Sequence, residues 1–286
     1  MKRFLTVWLV RPFEVARYQF FLTINWSTLS SLGNSRISQL TILMPVVGYL
    51  VIFNSTLAAW LGTTLSKRTI AGVPDFWDRM FDRNLLLLYF GLLIFGLGVA
   101  LYNAAVPSQV KRFPSVEDYI GAMESIGTRN LAIGSFDHVV AMYFRNLHGE
   151  ETSPMFSGKN TSFPAHVSSG FHRLVEEMFN AAEIEDWEDS PEEDRLGSRF
   201  RSGSGYLMVD EVAEVMYSGR GIDRNFRHSM YGEAVERSKD VYYIEHKALE
   251  HSKPLFRFMT FGLYSVGLFL TSFPSLVTSI IILRSW

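Results

Sequence analysis

Residues 84–106 read NLLLLYFGLLIFGLGVALYNAAV and hold no formal charge. At about 1.5 Å of rise per residue, this stretch is long enough to cross a bilayer as one helix. Residues 37–66 and 258–283 are likewise free of charge. None of the chain's 27 basic and 29 acidic residues falls in these three stretches. A helix in a soluble core normally keeps one polar face, so all three are expected to lie in lipid.

The expected fold class is an all-α membrane protein with three transmembrane helices. A mainly helical soluble domain is inserted between the second and third. The boundaries read as a basic N-terminal interfacial segment over 1–36 and a first membrane region over 37–66. A short extracytoplasmic loop follows over 67–83, then a second membrane helix over 84–107. The acidic domain covers 108–255, and the third membrane helix with the C-terminus covers 256–286.

The N-terminal apolar run is broken by Arg11, and no small-residue cleavage pattern follows it, so it does not read as a secretory signal. Phe13, Ala16, Phe20 and Ile24 share one helical face. Trp8 and Trp26 have the amphipathic character that suits the headgroup level. An alternative is a fourth crossing over 18–35, opposed by the serines and Asn34 within it.

Orientation follows from basic residues. Lys2, Arg3, Arg11, Arg17 and Arg36 precede the first span. Lys111 and Arg112 flank the second span; Lys247, Lys253 and Arg257 flank the third. The expected location is a cell membrane, of the bacterial inner-membrane kind. The N-terminus and domain 108–255 would be cytoplasmic and the C-terminus outside. The chain has no cysteine, which excludes disulfides, thiolate metal sites and cysteine nucleophiles and agrees with a reducing compartment.

Within the membrane, helix packing is assigned to Asn54, Gly91, Gly96, Ala100, Gly262 and Gly267. Gly96 and Ala100 form a small-xxx-small pair. Asn54 is the strongly polar side chain inside the first span. No span carries an acid, a base or a histidine, so carboxylate-based ion coupling lacks its usual groups.

The domain 108–255 carries 16 basic and 25 acidic groups. That balance repels phosphates, so no nucleic-acid partner is expected. Apolar periodicity predicts helices over 116–126, 130–147, 170–182, 206–217 and 230–249. Ser168 or Ser169 is the expected cap of the third. The run from Glu183 to Asp194 is EIEDWEDSPEED, with eight acids. It reads as a surface loop, a docking point for a basic protein partner, or a cation site without calcium-loop spacing.

All seven histidines lie in this domain. His138, His166 and His172, with Glu176 four residues after His172, form a candidate zinc or iron set, though the spacing matches no specific metal motif. His246 and His251 are expected at the surface or the membrane interface. Arg199, Arg201, Gly203 and Gly205 form a candidate phosphate-ligand site through a guanidinium fork and backbone donors. No serine sits in a nucleophile-elbow context, and no cofactor is implied.

The chain therefore reads as a non-enzymatic integral membrane scaffold, or as a sensor/effector subunit of an oligomeric complex. Its partners would be the lipid bilayer, further copies of itself or another membrane protein. One alternative is an oligomeric channel or membrane-perturbing effector gated by the domain. Another is a membrane-bound metal- or phosphate-dependent enzyme.

Overall fold

A computed structural model describes residues 23–33, 84–148, 163–182, 200–219 and 224–284. Asn54, Arg199, the first span, the loop after it and the acidic run fall outside these residues. The described residues form an all-α fold with one isolated antiparallel bridge, between Arg201 and Leu207. Two compact units emerge. One draws on Met1–Ser27 and Pro107–Leu255, the other on Thr28–Val106 and Phe256–Trp286.

The helices, in chain order, are α1 Trp26–Gly33, α2 Asn84–Ala105, α3 Ser108–Arg112, α4 Val116–Ile126 and α5 Arg129–Leu147. They continue with α6 Ala165–Ala181, α7 Val209–Ser218, α8 Arg224–Glu236, α9 Ser238–His251 and α10 Pro254–Arg284.

In the domain unit, α5 and α9 are the central pair. Helix α5 packs on α7, α8 and α9, and α9 packs also on α3, α4 and α6. Local chemistry sets several helix ends. Helix α4 carries Glu117 and Asp118 in its first turn, where acids suit the positive end of the helix dipole. It stops at Gly127, whose φ of 53° is left-handed and whose N–H reaches the Met123 carbonyl. Helix α7 ends the same way at Gly219, with φ 65°.

Three expectations about helices are corrected. Helix α6 begins at Ala165, directly after Pro164, earlier than the expected 170. Ser169 is therefore inside it and hydrogen-bonds the Ala165 carbonyl instead of capping. The single helix expected over 230–249 is two, α8 and α9, broken at Arg237. Trp26 does not present its ring to solvent or lipid as a surface tryptophan would: it is fully buried, and its indole N–H donates to the Ser252 carbonyl at 3.0 Å.

In the other unit, α2 and α10 contain apolar stretches long enough to cross a membrane, Leu87–Ala105 and Pro254–Phe273. Their close packing depends on missing side chains. A Cβ on Gly91 would stand 2.9 Å from Thr271 N, one on Gly267 would stand 2.8 Å from Phe95 N, and one on Gly98 would stand 2.7 Å from Tyr264 Cδ1. Phe95 and Tyr264 stack at 4.9 Å between ring centres. Among the described residues, Gly91, Phe95 and Gly98 are the α2 positions that meet α10 in these approaches. Ala100 is exposed, and Gly262 faces open space, with nothing within 4 Å of a would-be Cβ. Helix α10 runs on through Pro274 without a break.

Candidate functional site

An open groove of about 760 Å³ lies on the domain unit, lined from α3, α4, α5 and α9. Its polar floor is Glu245, which is 4% exposed. Tyr119 donates its hydroxyl proton to Glu245 Oε2 at 2.8 Å. His138 Nδ1 meets Oε1 at 2.9 Å. The Tyr119 phenol is pushed far above its ordinary value by burial and then by the Glu245 charge, so it stays a donor across the whole working pH range.

Packing holds this floor in place. Tyr119 sits edge-on to Tyr242 and stacks obliquely on His246, with ring centres 6.5 and 5.3 Å away. His246 Nε2 lies 2.8 Å from the Phe113 carbonyl, an acceptor that assigns the N–H to that nitrogen. Both Phe113 and Glu245 line the groove, so α9 fixes the floor and the wall together. Arg112 lies over the Phe113 ring, 5.1 Å from its centre.

His246 and His251 are both buried, which corrects the expected surface placement. His251 Nδ1 is 3.0 Å from the Lys247 carbonyl one turn earlier. Close by, Lys247 Nζ donates to Glu250 Oε2 at 2.8 Å. Burial opposes ionisation of Glu250. The Lys247 hydrogen bond, the nearby Ser27 hydroxyl and the charges of Lys247 and His246 outweigh it and hold the carboxyl below its ordinary value. His166 is held below its ordinary value by burial first and by Lys247 second.

A second polar cluster ties α5, α6 and α7. Tyr143 gives its proton to Asp210, and its oxygen lies 2.6 Å from His172 Nε2. Burial, then Asp210, raises the Tyr143 phenol. Its other surroundings are structural: the ring packs against Phe163 and Phe171.

The candidate metal residues are held by different partners. His138 pairs with Glu245 and His172 with Tyr143; the His166 ring lies 5.5 Å from that of His251, and Glu176 is exposed. Among the described residues, no group of three or more histidines and acids is arranged to hold a metal ion. In the candidate phosphate site, Arg201 is engaged locally. Its guanidinium donates to the Gly205 carbonyl at 3.2 Å and to Asn180 Oδ1 at 2.9 Å. Gly203 and Gly205 form the exposed turn that it closes.

Sequence reasoning missed Tyr119, Glu245 and the groove. One signal was present: Glu245 interrupts the apolar stripe Val241, Tyr242, Ala248 and Leu249. A charge on a buried stripe needs a partner, and that partner lies 126 residues away. Comparison with protein-family models, curated proteins and solved structures finds no match to the chain.

Proposed function

We propose that this chain is an integral membrane sensor/effector subunit without catalytic activity of its own. Three membrane segments, over 37–66, 84–107 and 256–286, hold a cytoplasmic helical domain tethered at both ends. The C-terminus lies on the far side.

One observation carries the reading. Only 22% of each bilayer-length stretch is buried within the chain. Phe90 and Leu97 on α2, and Phe269, Leu276 and Ile280 on α10, leave roughly half of their surface uncovered. The core helix of a soluble protein buries such side chains, because each is worth about 1.5–3 kcal/mol out of water. Lipid supplies the apolar surroundings that the chain does not. The sensor role is supported by the groove, whose walls belong to helices placed next in sequence to both membrane segments. Helix α3 follows α2 after two residues, and α10 follows α9 after two. A shape change in this domain has two direct mechanical outlets.

Alkaline carbonate extraction of membranes from expressing cells tests the reading. The chain should stay in the pellet, and its release to the supernatant would sink the proposal. Protease added to sealed cells should spare the domain; cleavage there would reverse the orientation.

A further inference from the structure

The groove holds a charge that its own residues leave under-compensated. Glu245 is buried, and among the described residues its one ion-pair partner is His138. That imidazole is charged only when protonated. A carboxylate offers about four acceptor positions, and Tyr119 and His138 take one each. Burying a carboxylate away from a full cation is costly. The groove also carries a cation able to meet an anion. Arg112 is exposed, lies over Phe113 and makes no ion pair among the described residues. Met123, Leu131 and Ile126 contribute apolar lining, beside the polar Gln109, Ser125 and Asn130, and Ile126 is 61% exposed.

We propose that the groove binds an amphipathic zwitterion, with a primary ammonium against Glu245, an anionic group by Arg112 and an apolar body along Met123, Ile126 and Leu131. Both charges are required. A bare cation meets Arg112 with the wrong sign, and a bare anion meets Glu245 with the wrong sign. A quaternary ammonium carries charge but no N–H for the carboxylate. The ligand chemistry has two sources, an aminophospholipid headgroup or a free apolar amino acid. The regulatory consequence rests on the membrane-sensor reading, because an occupant would touch the segments leading to both membrane helices. The binding itself does not, so carbonate extraction and ligand binding fail separately.

The test uses the full chain purified in detergent. In one arm, native mass spectrometry follows short-chain phosphatidylethanolamine, phosphatidylcholine and phosphatidylglycerol of equal acyl length. In the other, calorimetry follows phenylalanine, with phenethylamine and phenylpropionate as single-charge controls. In at least one arm, the primary-ammonium zwitterion should bind about ten-fold tighter than its controls or better, the yield of one charge-assisted hydrogen bond. Preference in the first arm identifies a lipid headgroup, and preference in the second identifies a free amino acid. Glu245→Gln should abolish the preference while thermal melting shows a folded chain. Met123→Trp, which fills the groove and leaves the Glu245 hydrogen bonds intact, should abolish it too. Absence of preference in both arms, or a preference that survives Met123→Trp, overturns the proposal.

Discussion

Tyr119 donates its hydroxyl proton to Glu245 across 2.8 Å, although 126 residues separate the two in sequence. The bond joins α4 to α9 beneath the groove, and Glu245 keeps its buried position through it and through His138. Tyr119→Phe removes the donor and leaves a buried carboxylate oxygen behind. That change should cost about 1–3 kcal/mol. Tyr242→Phe, whose hydroxyl plays no part in the pair, should cost less. Thermal unfolding of the detergent-solubilised protein, followed by circular dichroism, separates the two. Equal losses would show that the ring alone matters at Tyr119.

Gly267 and Gly262 predict opposite outcomes for the same change. A methyl at Gly267 would approach Phe95 N to 2.8 Å and the Gly91 carbonyl oxygen to 2.9 Å, and backbone atoms cannot yield as a side-chain tip does. Gly267→Ala should therefore destabilise the α2–α10 pair by about 1–3 kcal/mol. At Gly262 a methyl meets open space. There the change should be neutral or stabilise by up to about 1 kcal/mol through helix propensity. Dodecyl sulfate titration of the folded protein reads both.

Glu250 makes the domain acid-sensitive. Its folded carboxyl titrates below the ordinary 4.5, because the donors and charges around it outweigh burial. The unfolded chain then binds the proton more readily than the folded one. The stabilisation is complete above about pH 4.5 and disappears as pH falls through the folded value. Melting temperature should drop over that acid range in the wild type and drop less in Glu250→Gln. Parallel acid profiles for the two proteins would exclude Glu250 as the source.

Trp26 anchors the N-terminal segment to the end of α9. It is fully buried, with its indole N–H on the Ser252 carbonyl. Trp26→Ala should cost about 3–5 kcal/mol, the usual range for emptying a large aromatic site. Trp26→Phe should recover most of it, losing about 1 kcal/mol with the hydrogen bond. A surface tryptophan would show neither effect in thermal unfolding in detergent.

Much of the helical layout was legible without coordinates, because its causes are local. Residues 116–126 are bounded by Ser115 and Gly127, and they form α4 over the same span. The break within 230–249 was not legible in the same way: the chain leaves the helix at Arg237 between α8 and α9, with no proline or glycine there to mark it.

The candidate sites were less legible. Ala100 has the right spacing for close packing yet is exposed, whereas Gly91, Gly98 and Gly267 make close approaches. Spacing defines a stripe but not which stripe meets the neighbouring helix. That choice depends on how each helix is rotated, and rotation is set by the summed shape of many side chains. His138 shows the same limit. It was grouped with His166, His172 and Glu176 by residue type, and its partner is Glu245.

By itself, the sequence determined that α2 and α10 can cross a bilayer, since length and absence of charge are properties of a single segment. It also determined where α4 and α7 stop, since a left-handed glycine acts within its own turn. Only the tertiary structure decided that Glu245 would face Tyr119 and His138, that Trp26 would be buried, and that a groove would open above them. Those outcomes depend on contacts between residues far apart in the chain, and no local pattern encodes which distant surfaces will meet.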